Sequence, residues 1–194
     1  MGGVHRHPVG LKTITTHNTK DNRMACTSYT LKGITNDCST SKGGIREIYI
    51  TDWQKDIFTV GDSAGTVTAL KADAKFYKDY IKRNTSSFTS TATIDLANGV
   101  NYVSTELNLV FTKMETAKRV EMSALLLNDV AVIVVDANGK AWCLGKDNPV
   151  NSTAGTGETG TAATDGNKYT LTLTDESDTF PFEFSGELPT PANA

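Results

Sequence analysis

Residues 88–111 read FTSTATIDLANGVNYVSTELNLVF, and the periodicity of this stretch decides the fold class. Along its first arm, 88–96, Phe88, Ala92, Ile94 and Leu96 share one face, and Thr89, Thr91, Thr93 and Asp95 share the other. Along the second, 100–111, Val103, Leu107, Leu109 and Phe111 are in step, opposite Tyr102, Ser104, Glu106 and Asn108. A period of two places successive side chains on opposite faces of a strand, so each arm predicts a strand with one oily and one wet side. Asn98-Gly99 marks the turn, where positive φ is required and Gly accepts it cheaply. Arms this long exceed the usual strand of about five or six residues and reach roughly 30–40 Å at about 3.3 Å per residue.

Moving outward from the hairpin, Thr112 with Glu115 three residues on forms a capping-box pattern. Met114, Ala117, Val120, Ala124 and Leu127 then recur at helical spacing, predicting one helix packed on the core through that stripe, with Glu115 and Arg119 paired on its wet side. Asn128-Asp129 ends it, VAVIVV (130–135) reads as a buried strand, and DANG (136–139) turns into a strand over 140–144 with Trp142 covering the core. KYTLTLT (168–174) alternates strictly, and FPFEFSGEL (180–188) closes the domain. On the amino-terminal side strands are expected at 28–34, 45–51, 57–60 and 66–70. TNDCSTSKGG (35–44) is a loop, GDSAG (61–65) a turn, and KFYKDYIKR (75–83) a strand or a short helix. The expectation is a mainly β protein: a β-sandwich or partial barrel with a long β-hairpin and one packed α-helix. Residues 1–23 are expected to form a flexible arm or extension, 24–188 a single β-rich domain, and 189–194 a disordered tail.

Residues 145–167 carry almost no apolar side chains, which predicts a long polar loop of the functional or mobile kind. Within it Gly155-Thr156-Gly157-Glu158-Thr159-Gly160 matches G-x-G-x-x-G letter for letter. A dinucleotide site needs a buried strand before those glycines and a helix after them, so that the helix N-terminus holds the pyrophosphate. Here KDNP precedes and DGN follows, both turn signals, so the match is read as chance in a Gly/Thr-rich segment.

Composition narrows the function further. The formal net charge is −3 over 194 residues. Arg6, Lys12, Lys20 and Arg23 against Asp21 alone give residues 1–23 a balance of +3, leaving −6 for the rest. An acidic body is poorly suited to gripping nucleic acid, whose binding rests on Lys and Arg neutralising phosphates. The three cysteines, Cys26, Cys38 and Cys143, form no C-x-x-C pair and read as reduced core or loop residues. All three histidines, His5, His7 and His17, lie in the first 23 residues, which excludes a Ser-His or Cys-His pair within the body unless the arm folds back. Asp95, Glu106, Asp136 and Glu158 are available carboxylates, but nothing in their spacing singles out an acid–base pair. No metal site, cofactor or enzyme activity is read from the chain. Its start lacks the apolar region of a secretory signal, which leaves the sequons at Asn84 and Asn151 without a role and Met24 as an alternative start. No apolar run approaches the roughly 20 residues of a membrane span.

NTSSFTSTATIDLANGVNYVSTELNLVFTKMETAKRVEMSALLLNDVAVIVVDANGKAWCLGKDNPV, followed by STAGTGETGTAATDGNKYTLTLTD and PFEF, resembles virion structural proteins of tailed bacteriophages. It looks most like those of phages and prophages of gut Bacteroidales, and its order of elements is similar to the tail tube (major tail) protein family. The resemblance covers about 24–187. It implies a subunit of stacked, usually hexameric rings in the virion tail, assembled in the host cytoplasm. Long hairpins of neighbouring copies would pair edge to edge into an inner barrel that conducts DNA without binding it specifically, and other tail proteins would meet the tube ends. Thr89, Thr91, Thr93, Asp95, Ser104, Glu106 and Asn108 would then face the lumen. Asn151, Gly155, Gly157, Glu158, Gly160 and Asp165 would belong to a loop reaching a neighbouring ring. A capsid decoration or other head-associated protein is the first rival. A carbohydrate-binding β-sandwich is the second, although Trp53 and Trp142 lie in apolar strand contexts rather than on an aromatic platform.

Overall fold

The computed structural model describes residues 33–34, 38–61 and 65–193. The fold belongs to the unit Ser39–Ala194; of the other unit, Met1–Cys38, Gly33, Ile34 and Cys38 are described. The expected arm at 1–23, the start of the domain at Met24, and the strand at 28–34 but for Gly33 and Ile34, which carry no strand, lie outside the described residues.

Eleven strands and one helix follow in chain order. They are β1 (Ile45–Asp52), β2 (Phe58–Val60), β3 (Thr66–Leu70), β4 (Tyr77–Tyr80), β5 (Ser87–Asp95) and β6 (Val100–Thr112), then α1 (Thr116–Leu125). After the helix come β7 (Val130–Asp136), β8 (Ala141–Leu144), β9 (Asn151–Glu158), β10 (Lys168–Ser177) and β11 (Phe182–Phe184). One sheet has seven strands in the order β2-β3-β11-β8-β7-β1-β4, and the other has four, β5-β6-β10-β9. The described residues are therefore mainly β, with two sheets and one helix, as the alternating pattern predicts.

The seven-stranded sheet is buried on both faces. Ile48, Ile50, Val132, Val134 and Leu144 point to one side, where they meet Leu107, Leu109, Leu171 and Leu173 of the four-stranded sheet and Met122 and Leu125 of α1. On the other side Tyr49, Ile133, Val135 and Cys143 join Ile57, Phe58, Val67, Phe76 and Phe184 in a second core. This explains why β7 is apolar at almost every position instead of alternating. Burial also pushes the Cys143 thiol up, so it stays protonated. The four-stranded sheet is one-sided, and its alternation is correspondingly clean.

Four expectations are corrected. Residues 145–167 are not a loop: β9 occupies Asn151–Glu158 and pairs antiparallel with β10, leaving a turn around Gly160 and Asp165. The strand escapes a hydrophobic-alternation reading because its core-facing positions are small. A Cβ on Gly155 would stand 3.0 Å from Leu126 Cδ2, and one on Gly157 would stand 3.0 Å from the Tyr169 ring and 3.3 Å from the Met114 methyl. Leu126 and Met114, which flank the helix, and Tyr169 of β10 stand over these glycines, so larger side chains that would betray the strand would crowd them.

The second correction is the helix face. Met114 is half-buried, but Ala117, Val120, Ala124 and Leu127 are exposed, and Met122 and Leu125 make the core contacts. In TAKRVEMSALLL two stripes are apolar, and period alone does not rank them. Contact with β9 does: Ser152 Oγ donates to the Leu125 carbonyl at 2.6 Å, and Leu126 lies on Gly155.

Thirdly, Thr112 ends β6 and does not cap the helix. Glu115 stands at the N-cap without a side-chain cap bond, and its carboxylate meets Lys113 at 2.6 Å and Lys118 at 3.6 Å rather than Arg119. Asn167 sets this entry, accepting from the Lys113 N–H with its carbonyl and from the Met114 N–H with its side chain.

Finally, the tail is held. The Ala192 N–H donates to the Phe76 carbonyl at 2.8 Å, and the Asn193 side-chain amide both accepts from Lys78 N–H and donates to Lys78 C=O, each at 3.0 Å. Asn193 thus mimics a strand residue on the outer edge of β4. Residues 75–83, ambiguous in sequence, contain that strand.

Candidate assembly surface

The four-stranded sheet turns a broad polar face to solvent. Residues opposite each other in an antiparallel pair share a face, so the register assembles it row by row. Thr91 pairs with Ser104, which pairs with Glu176; Thr89 pairs with Glu106, which pairs with Thr174. Ser87, Asn108, Thr172 and Ala154 form one row across all four strands. Of the residues expected on this face, Thr89, Thr91, Thr93 and Glu106 are exposed, and Asp95, Ser104 and Asn108 are half-buried. β10 and β9 extend it with Thr170, Thr172, Thr174, Thr153 and Thr156, and Thr153 Oγ1 lies 3.1 Å from Thr174 Oγ1.

The charge on this face is acidic. Asp95, Glu106 and Glu176 carry it, and Lys168, at the start of β10, is matched by Glu158 at 2.9 Å. Asp95 also closes the hairpin turn. Its Oδ1 accepts from the Ala97 and Asn98 N–H groups at 3.0 and 3.3 Å, and its Oδ2 accepts from Asn98 Nδ2 at 2.6 Å. The Asn98 donors, foremost, hold its carboxyl below the ordinary range.

The margins of the sheet matter as much as its face. β5 pairs with β6 alone and β9 with β10 alone, so each leaves an unpaired backbone edge among the described residues. These edges are nine and eight residues long. They are also staggered: β9 is centred near the row of Ser87 and Ala154, whereas β5 starts at that row and runs toward the hairpin tip.

Of the expected loop residues, Asn151, Gly155, Gly157 and Glu158 are brought together on β9, while Gly160 and Asp165 lie in the turn beyond it. Asn151 Nδ2 donates to Asp129 Oδ1 at 2.6 Å, and Asp165 Oδ2 accepts from the Thr161 and Ala162 N–H groups at 2.9 and 2.8 Å. The carboxylates considered for catalysis are dispersed. Asp95 and Asp136 close turns, Asp136 accepting from the Asn138 and Lys140 N–H groups at 2.8 and 2.9 Å, and Glu158 is paired. Among the described residues no group of three or more His, Cys, Asp and Glu is placed to hold a metal, and no helix is long and apolar enough to cross a membrane. Trp53 and Trp142 are half-buried, with indole N–H groups directed to the Gly145 carbonyl at 2.8 Å and to Asp136 at 3.3 Å.

One buried group escaped the sequence reading. Asp175 sits on the core-facing side of β10, opposite Thr105, which in turn bonds Ser90 across β6 and β5 at 2.8 Å. Asp175 is 3% exposed, and its Oδ1 has no hydrogen-bond partner among the described residues. Burial foremost, with Asp147 and Glu176 adding to it against the Gly145 N–H, pushes its carboxyl up to about 6. The break in alternation at Asp175 within LTLTDES was the available signal. The chain matches no protein-family model and no curated protein sequence.

Proposed function

We propose that this protein is a structural subunit of a phage tail tube, forming stacked rings around a DNA-conducting lumen. The single observation that carries the reading is the pair of long, staggered, unpaired edges on a one-sided sheet. Strands alternate in direction across β5-β6-β10-β9. A second copy whose β5 meets β9 therefore continues the antiparallel order, and repetition around a ring leaves no edge open. The stagger suits closure. The middle of β5 lies about 13 Å along the strand direction from the middle of β9, over four strand spacings of about 19 Å, which gives a strand tilt of about 35°. Closed barrels have tilts of about 35–45°.

In a ring of six, the number the family resemblance implies, 24 strands would close a barrel about 45 Å across at the backbone, wide enough for a duplex. The Thr-rich acidic face then lines the bore, where few cations are available to hold phosphates. Glu106 and Glu176 are the cleaner probes of that lining, since Asp95 also closes a turn.

Negative-stain microscopy of the purified protein at high concentration tests the proposal. Rings or hollow polymers are the expected outcome, and persistent monomers or trimers would favour the head-decoration reading instead.

A further inference from the structure

Among the described residues, two apolar patches are exposed on the core-facing side of the four-stranded sheet. At the β9 margin, α1 is tied to Ser152 through Leu125 and flanked by Leu126 over Gly155, yet its outer stripe is bare, with Val120 54% and Leu127 85% exposed beside Ala117 and Ala124. At the β5 margin, the hairpin overruns the core. Ala92 is exposed on its underside, Ile94 is 65% exposed, and Leu96 at the tip is 90% exposed. Among the described residues nothing covers either patch. They stand at opposite margins of one sheet, so they do not cover each other.

We infer that the outer stripe of α1 is a seat for the underside of the neighbouring copy's hairpin, Val120 and Leu127 receiving Ala92 and Ile94. The inference rests on the ring reading and adds a second contact to it. Pairing β5 of one copy with β9 of the next keeps like faces together, so the neighbour's Ala92 and Ile94 emerge on the side where α1 lies. The stagger also brings them to the right level. With the two strands centred on one another, Thr91 of the neighbour stands opposite Ala154, and, carried past the bulge at Thr153 as β10 is, its Ala92 comes opposite Ser152 and its Ile94 alongside Val150. That is where Ser152 holds the carboxyl-terminal turn of the helix through Leu125, two residues from Leu127. The contact is heterologous, one patch on each partner, which is the arrangement a ring requires. It also removes from water an apolar surface that a free subunit leaves exposed.

The test uses the full chain in a Cys26→Ser/Cys38→Ser background. Copies carrying Ile94→Cys are mixed with copies carrying Leu127→Cys and oxidised. A covalent dimer from the mixture, and none from either alone, is the expected result. In parallel, Val120→Glu/Leu127→Glu should raise the concentration at which rings form at least tenfold, with the circular dichroism spectrum and thermal midpoint of the monomer unchanged. If wild type forms rings while the mixture yields no cross-link and the double variant assembles as well as wild type, the seat is overturned and the ring reading stands. If wild type stays monomeric at every concentration, both fall.

Discussion

In the seven-stranded sheet, β4 ends the row with four residues, and its outer backbone groups meet the Asn193 amide. At the far end β2 has three. In the four-stranded sheet the end strands have nine and eight residues, and among the described residues nothing pairs with their outer edges. Proteins commonly shorten or cover strand edges, because an open one is a template for another chain. One chain here does so on one sheet and not on the other. The same division runs through burial, since the larger sheet is covered on both faces and the smaller on one. The larger sheet carries both cores; the smaller leaves the open edges that the proposed ring would complete.

The largest expected effect breaks the comparison at its centre. Ile133→Ala, in the core of the seven-stranded sheet, should cost about 2–5 kcal/mol in chemical denaturation. Ile94→Ala, on the exposed end of β5, should stay within about 0.5 kcal/mol in the monomer. Comparable costs would mean that the hairpin tip is packed.

Asp175 gives the next effect, with a defined pH sign. Its carboxyl is raised from 3.8 to about 6 in the fold, so the folded state favours the acid form. The contribution is fully present below about pH 4 and is lost as pH rises through about 6, a swing of about 3 kcal/mol. Asp175→Asn should therefore raise stability at pH 7.5 and flatten the profile between about pH 4 and 6. Thermal melts across that range read it, and a variant less stable at pH 7.5 would show that the charge is compensated.

A smaller effect tests the helix seat. Gly155→Val should cost about 1–3 kcal/mol by forcing Leu126 and α1 off β9. Retained stability in urea would imply that the helix shifts freely. Smallest of all, Asn193→Ala should cost about 1 kcal/mol by removing two hydrogen bonds from the β4 edge. It should also raise self-association measured by light scattering at high concentration. Unchanged scattering would show that the short edge needs no cover.

Much of the fold was legible where burial is one-sided. The alternation in 88–111 and 168–174 located β5, β6 and β10 to within a residue or two at most ends, because wet and oily faces leave opposite marks. The wet face of the candidate surface was legible for the same reason. β9 was not, since a strand beneath a helix needs small core-facing residues, and Gly155 and Gly157 imitate a loop. The outer stripe of α1 was misassigned to the core because Val120, Ala124 and Leu127 have the spacing of a buried face while standing in solvent. Composition carries no mark of the anchored tail, which depends on the side-chain amide of Asn193 reaching a backbone distant in sequence. The burial of Asp175 leaves little mark in the sequence, because a carboxylate on the oily side of a strand looks, in one dimension, like the end of that strand.

The two bare margins of the smaller sheet are unlike each other, and in the proposed ring this would give growth a direction. Every incomplete arc would present β5 at one end and β9 at the other, so only the closed circle would be free of unmet partners. A copy disabled at one margin would still dock through its other, then stop further addition. Trace amounts of such a chain would act as a terminator, halting assembly out of proportion to its abundance.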